Sequence, residues 1–556
     1  MLSLTRLLFV AGLASHVLLS QGQTQTVGVF LNSESSFNGY TLLDPMGSAN
    51  TYLIDNCGQV INTWTSEFNS GGSCYLLEDG SLIRGCRMTG SFFGGGVGGR
   101  LERRSWNNEL LWSLDWADSS IHHHHDFAWM PNGHVLVLAW EAKTEEEAAL
   151  AGRLNPQAMW PEVVTEIVPT LPSGGEVVWE WHAWDHLVQD TDPTLPNFGD
   201  PSDFPGRLNI NHGGIGGPGG PGSSSSGDWT HANAVFYNET LDQIVLSSRS
   251  FHEIWVIDHS TTTAQSADSG GDLMYRQGNP ITYGRGTEDD QMFFGQHDVQ
   301  WIPEGHPMEG QFLIFNNGSR PECLCSSIDV WDPPVQEDGS YALEDGLPFG
   351  PEFLSWTYPA ELDVSFFSPN ISGVQPLPNG NMLVCEGASG HVFEVTLEGN
   401  VVWDYVNPEG NFGIVPQGTE PIQNSVFRAY RYGPDHPGIS SQDLTPGPLL
   451  EGDDLTDCEI FASQDTTSTE AVEGADAGLH SGVRVFPNPA SDLLHVQGQR
   501  ATSWAIHSMH GQHVMSGHLD VNSAATIEIH TLHPGIWLLT LTREATRQTI
   551  RFVKTH

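Results

Sequence analysis

Leu77-Glu-Asp-Gly-Ser-Leu82, Met130-Pro-Asn-Gly-His-Val135 and Leu377-Pro-Asn-Gly-Asn-Met382 repeat one device: an apolar residue, a turn built on Asp-Gly or Asn-Gly, and a second apolar run. Asp, Asn and Gly tolerate positive φ, so these dipeptides between apolar strands mark tight hairpins. Alternation along His134-Val-Leu-Val-Leu138 and Gln243-Ile-Val-Leu-Ser247 fits half-buried strands.

A second element accompanies the hairpins. Gly58-Gln-Val-Ile-Asn-Thr-Trp64, Asn108-Glu-Leu-Leu-Trp112, Gly175-Glu-Val-Val-Trp179 and Gly399-Asn-Val-Val-Trp403 each close a strand pair on a Trp, predicted to be buried. Hairpin and Trp strand together recur at roughly 45–65 residues, the signature of a radial repeat. About six units fit between residues 49 and 435. Four-stranded units of this length close into a ring that leaves few free strand edges. The expected fold is all-β, a six-bladed β-propeller over 24–443, with Thr144–Gly152 the one clear helix candidate. Gly213–Gly227, rich in Gly, Pro and Ser, reads as a surface loop. Residues 444–482 are acidic, Ser/Thr-rich and poor in apolar side chains, and read as a linker.

Hydrophobic residues make up 38% of the chain and 18 Trp are present, enough to fill a core and to argue against wholesale disorder. The formal net charge is −47, from 68 acidic and 21 basic residues. Such a surface repels nucleic acid and anionic membranes, which excludes both as partners, and suits solubility in salty surroundings. At about 1 M salt the Debye length falls to about 3 Å, so an anionic ligand still approaches. Arg6 followed by an apolar run from Leu7 to Leu19 and then small polar residues reads as a signal peptide over 1–23. The run is too short to span a bilayer and no second one follows, so the expectation is an exported protein without a membrane span. Of seven cysteines, an oxidising compartment lets some pair and leaves at least one over.

Four segments concentrate His, Arg and Asn at predicted strand ends, which in a propeller converge on the axis. Residues 121–126 read Ile-His-His-His-His-Asp. Because neighbours on a strand face opposite ways, at most two of these histidines are expected to share a site. His125 is the expected functional member, with His124 the alternative. In Asp228-Trp-Thr-His231-Ala-Asn233 the i, i+2 spacing puts His231 and Asn233 on one strand face. Arg249 ends the next strand, and Gln296-His297-Asp298 precedes Phe315-Asn-Asn-Gly-Ser-Arg320. Several His with one Arg, no paired catalytic acids and no metal spacing point to a tetrahedral oxyanion held by charged and N–H donors.

These stretches, together with Tyr283-Gly-Arg-Gly and Ser372-Gly-Val-Gln-Pro-Leu-Pro-Asn-Gly-Asn, resemble the bacterial arylsulfate sulfotransferases that need no nucleotide sulfate donor. The resemblance covers residues from about 49 to 435. It implies transfer of a sulfuryl group from a small aryl sulfate to a phenolic acceptor, without a cofactor or metal. It also implies that His297 is the nucleophile, with His125, His231 and Arg249 catalytic beside it and Asn233 and His124 binding substrate. The alternatives are a non-catalytic secreted propeller serving in binding or adhesion, a quinone-dependent dehydrogenase propeller, and a metal-dependent hydrolase on the four-His run.

Residues 483–556 open on Val483-Arg-Val-Phe-Pro-Asn-Pro-Ala and end with Gly535-Ile-Trp-Leu-Leu and a basic strand. Their alternation predicts a small C-terminal β-sandwich. They resemble the C-terminal sorting domain of the type IX secretion system, which implies that machinery as a partner and a cell-surface or secreted destination.

Overall fold

The computed structural model describes residues 24–461 except 91, 93, 214–226, 453 and 454, and in the tail 484–486, 493–497, 503–508, 513–518, 525–530, 532, 535–543 and 546–554. The expected signal peptide, almost all of the Gly/Ser loop and residues 462–482 of the expected linker lie outside the described residues. The chain divides into two compact units, Met1–Ser463 and Gln464–His556.

The first unit holds six antiparallel sheets of four or five strands. The innermost strand of each is Ser70–Leu76, Ile121–Trp129, Ala232–Asn238, His297–Trp301, Gly373–Pro376 and Val426–Tyr432. Each touches the next, and the last touches the first, so the six close into a ring. Closure joins the two ends of the unit. Val426–Tyr432 pairs with Tyr40–Pro45, placing Leu43 opposite Ala429, while Gly28–Asn32 adds a fifth strand outside Val401–Val406. Each end is thereby held by a full ladder of backbone hydrogen bonds.

The recurrent tryptophans lock neighbouring sheets together. The indole N–H of Trp64 donates to Ser105 O at 2.9 Å, Trp112 to Gly174 O at 2.8 Å, Trp356 to Leu397 O at 2.9 Å and Trp403 to Asn56 O at 2.8 Å. Every acceptor lies in the turn between the third and fourth strands of the following sheet. In the second sheet Trp181, two residues beyond the Trp179 of the repeat, donates to Gly271 O at 2.8 Å. In the third sheet Tyr275 takes over, its hydroxyl donating to Gly350 O at 2.9 Å. A large apolar ring with one polar donor can fill an inter-sheet gap and still satisfy a turn carbonyl, which Phe cannot do.

The predicted helix forms as Glu145–Leu150, with Thr144 and Glu147 in a reciprocal capping box. The segment expected to begin a linker at Leu444 instead lies along the first unit. Gly447 N donates to Val60 O at 2.8 Å, and Cys458 is disulfide-bonded to Cys57 across 401 residues of sequence. Local composition carries no signal for that anchorage, because it depends on Val60 and Cys57. Cys323 and Cys325 form a second disulfide, and Cys74, Cys86 and Cys385 are free and buried.

Among the described residues the tail unit has two antiparallel sheets. One joins Arg484–Phe486, Leu493–Gln497 and Ala525–Glu528; the other joins His513–His518, Ser503–Ser508, Gly535–Arg543 and Thr546–Lys554. Leu494 and Ile527 of the first and Ile506 and Leu539 of the second are buried. Among the described residues no helix is long and apolar enough to cross a membrane.

Candidate active site

The innermost strands of a propeller line its central channel, and here each has a positive-φ residue within it or just before it. Gly72 (φ 134°), His125 (55°), His231 (46°), Asp298 (58°), Ile371 (47°) and Gln423 (54°) fill the six positions. Pairing slips beside four of them, between Ser70 and Cys74, Val137 and Ala139, Ala232 and Ala234, and His297 and Gln300. These are bulges, which re-aim the side chain at the kink. Five of the six positions carry a residue other than Gly, at a cost of about 1–3 kcal/mol each, and such strain gathers where a site needs it.

His125 and His231, re-aimed in this way, share a cavity of about 450 Å³ with Arg249, His297, Gly95, Gly96, Asn370 and Ile371. The four residues expected to be catalytic therefore converge, although they come from separate segments of the chain. Gly96 has to lack a side chain: a Cβ there would stand 2.1 Å from the His125 ring. The run Gly94-Gly-Gly-Val-Gly-Gly99 was the sequence signal for this close approach and carried no expectation.

His297 is 1% exposed and tied at both ring nitrogens. Nδ1 lies 2.7 Å from Asn317 Oδ1, and Nε2 accepts from Ile371 N–H at 3.2 Å. Asn317 spends its amide N–H groups on Ser368 O and Ile371 O, at 2.8 and 3.0 Å, so its oxygen must face His297 and accept. Nδ1 is then the protonated nitrogen, and Nε2 carries the lone pair. Burial holds the imidazole well below its ordinary value of 6.5, and the Arg249 charge pushes the same way. Asn317 lies within the Phe-Asn-Asn-Gly stretch, but nothing in the stretch singles it out. Asn317→Asp leaves a carboxylate where the amide oxygen sat, favouring an imidazolium, whereas Asn317→Ala leaves Nδ1–H only the longer contact to Gly295 O at 3.1 Å. On the reading of His297 as a nucleophile, proposed below, each is expected to cut turnover roughly 10²-fold with little change in KM, through loss of its orientation. Steady-state kinetics check this, and an effect confined to KM overturns the assignment.

His231 Nδ1 lies 2.5 Å from Asp228 Oδ2, an oriented imidazole with its other nitrogen on the cavity side. Arg249 packs beside it: its guanidinium donates to Pro369 O at 3.3 Å, while its buried Nε has no protein partner among the described residues. Burial pulls its pKa down to about 10 against the opposing pull of Asp228, so it stays cationic at neutral pH. The His125 ring stands edge-on to His231 at 4.7 Å between centroids. Burial, followed by the neighbouring His231, holds it well below 6.5.

Two expectations need correction. Asn233 does not line the cavity: it is fully buried, with its amide donating to Gln296 O at 2.7 Å. Strand alternation does not carry from His231 to Asn233, because the left-handed His231 lies outside the pleat. His124 also stays out of the cavity, stacked on Trp140 at 4.0 Å. Its Nδ1 nonetheless touches His125 Nδ1 at 2.8 Å, which neighbours on a regular strand cannot do. The kink at His125 brings the two rings together. Among the described residues no cluster of three or more His, Cys, Asp or Glu is arranged to hold a metal ion.

Below the cavity Arg428 pins the ring. It donates to Ser73 Oγ at 3.2 Å, Asp126 Oδ2 at 2.7 Å and Asn233 O at 2.7 Å, and its Nε lies 3.1 Å from Asp298 Oδ1. Asp298 Oδ2 in turn accepts from Val374 N at 2.8 Å. Five inner strands, that of Arg428 included, therefore meet at one buried guanidinium, and the sixth joins them through Asp298. Asp126 and Asp298 follow His125 and His297 directly in sequence, so this hub also holds two walls of the cavity.

A closed ring of antiparallel sheets with three histidines and an arginine gathered in one cavity defines a propeller with a polar, His- and Arg-lined site. Residues 20–323 match the family model described as Arylsulfotransferase (ASST), and the chain belongs to that family. Residues 484–555 match the secretion system C-terminal sorting domain, which indicates export to the cell surface or beyond. No curated protein matches the chain. Among solved structures, a Bacteroides caccae protein of unknown function is 10% identical, with 71% of this chain and 99% of that one covered and a TM-score of 0.38. A putative 6-phosphogluconolactonase from Bacteroides fragilis is 8% identical, with 72% and 99% covered and a TM-score of 0.34. A periplasmic gluconolactonase from Pseudomonas aeruginosa is 11% identical, with 66% and 96% covered and a TM-score of 0.33.

Proposed function

We propose that this chain moves a sulfuryl group from an aryl sulfate to a phenol through a sulfated His297. The observation that carries the reading is the buried, neutral His297 with Nδ1–H tied to Asn317, in a cavity shared with Arg249, His231 and His125. Arg249 and His231 hold the non-bridging oxygens. His297 Nε2 displaces its weak contact to Ile371 N–H and attacks sulfur in line. The S–O bond to the ring breaks, and the phenolate leaves with a proton from His125. A phenol then enters, loses its proton and takes the group from His297, which restores the enzyme. Splitting the transfer in two gives ping-pong kinetics, and positioning plus charge stabilisation needs no cofactor.

The test is incubation with p-nitrophenyl sulfate, with and without phenol. Nitrophenolate release that depends on phenol is expected. Release at the same rate without phenol makes water the acceptor, and no release with a panel of aryl sulfates returns the site to a binding role.

The lowered pKa of His297 sets a pH dependence. An imidazole attacks only when unprotonated, so kcat/KM falls as pH drops through its pKa. With that value held well below 6.5, the acid limb is expected well below the ordinary histidine range. A fall centred near 6.5 contradicts a buried nucleophile.

A further inference from the structure

Behind His125, a chain of groups runs away from the cavity into the protein. His125 Nδ1 meets His124 Nδ1 at 2.8 Å, and His124 Nε2 meets Glu162 Oε2 at 2.8 Å. His124 and Glu162 are fully buried. Since His124 occupies Nδ1, the ring nitrogen left for the cavity is His125 Nε2. The other carboxylate oxygen, Oε1, accepts from Thr230 Oγ1–H at 2.9 Å and from Ala232 N–H at 2.7 Å, which fixes the carboxyl in the plane needed to reach His124.

We infer that Glu162 and His124 form a relay that stores the proton His125 lends to the departing phenolate and takes it back from the incoming phenol. The inference rests on the sulfuryl-transfer reading above. Two states satisfy every contact with both imidazoles neutral. In the first, Glu162 is protonated and donates to His124 Nε2, His124 Nδ1–H donates to His125 Nδ1, and His125 Nε2–H faces the cavity. In the second, Glu162 is a carboxylate accepting from His124 Nε2–H, His125 donates its Nδ1–H to His124, and His125 Nε2 presents a lone pair.

One concerted shift converts the first state into the second. The phenolate oxygen takes the Nε2 proton of His125, His125 takes the Nδ1 proton of His124, and His124 takes the carboxyl proton of Glu162. The acceptor phenol drives the same shift backwards, so each turnover returns the proton and needs no exchange with solvent. Burial favours these protonation states: it raises the Glu162 carboxyl well above its ordinary range and holds His124 and His125 well below theirs. An imidazolium in so apolar a place is disfavoured, whereas a neutral relay moves only the final charge onto Glu162. His124 and Glu162 touch no substrate, and both act through His125.

Glu162→Gln tests the relay with nearly unchanged shape. Thr230 and Ala232 hold the amide oxygen, so the NH₂ group faces His124 and no mobile proton remains. In single-turnover experiments the variant is expected to release nitrophenolate from p-nitrophenyl sulfate within a few-fold of the wild-type rate, because that leaving group needs no proton. Release of phenol from phenyl sulfate, and discharge of the sulfated enzyme to phenol, should each slow about 10²-fold or more, the usual share of general acid–base catalysis. A purely structural Glu162 predicts equal losses with both donors and overturns the inference.

A second measurement needs no variant. In mixtures of light and heavy water, wild-type turnover of phenyl sulfate should bend downward as several protons move together, and a straight line overturns the concerted relay. If the wild type never releases nitrophenolate, the sulfuryl-transfer reading fails. If the wild type transfers normally and Glu162→Gln shows no dependence on leaving group, only the relay fails.

Discussion

On the sulfuryl-transfer reading proposed above, His297→Ala is expected to abolish transfer, with turnover of aryl sulfates falling by about 10⁴-fold or more while the propeller stays folded. The size follows from the role: without the nucleophile the two-step route is closed, and only the oxyanion-binding groups remain to help direct attack by the acceptor. The structural cost is smaller, because the loss of one ring leaves Asn317 Oδ1 buried without its partner, about 1–3 kcal/mol. Wild-type protein mixed with donor alone should gain the mass of one sulfuryl group on the peptide containing His297, and the variant should gain none. A variant that keeps more than about a tenth of the wild-type rate moves the nucleophile elsewhere, with His231 and His125 as the remaining imidazoles of the cavity.

The largest effect on stability is expected at Arg428. Arg428→Met keeps length and apolar bulk but removes the charge between Asp126 and Asp298, which are 1% and 5% exposed. Stripping one partner from a buried ion pair costs about 3–5 kcal/mol, because the carboxylates are left uncompensated in a dry place. Urea unfolding followed by Trp fluorescence measures the change.

The pH dependence has a definite sign. Burial already holds Asp298 up at about 6 despite the opposing pull of Arg428, and without the arginine this carboxyl rises further. A carboxyl whose folded pKa is raised binds more protons in the folded state, so the stability of the variant falls as pH rises from the unfolded value through the folded one. The defect should therefore be smaller at pH 5 than at pH 8. Adding Asp126→Asn and Asp298→Asn should recover much of the loss at pH 8. A loss that is independent of pH, or untouched by those changes, means that Arg428 acts through packing alone.

The strands, their hairpins, the helix after Thr144 and the buried tryptophans were all legible from local pattern. A hairpin needs only its own turn residues and flanking alternation, and an exposed helix needs only its cap. The same kind of reading found His125, His231, Arg249 and His297, because each sits in a short, chemically unusual stretch at a strand end. It failed where it assumed a regular pleat. Asn233 was placed on the face of His231, and that placement is undone by the left-handed His231.

Local pattern also could not reach the partners. Glu162 lies 38 residues from His124, and Arg428 lies 302 residues from Asp126. Nothing around Glu162, Asn317 or Arg428 distinguishes them from ordinary strand and loop residues. Sequence alone points to many of the strands and to the four polar residues that the fold brings to one cavity, since both depend on residue type and short-range spacing. Which ring nitrogen is free, which amide orients it, which carboxyl stands behind it and which cation ties the inner strands together were settled by tertiary structure alone. Those are properties of hydrogen-bond partners that become neighbours only when the ring closes.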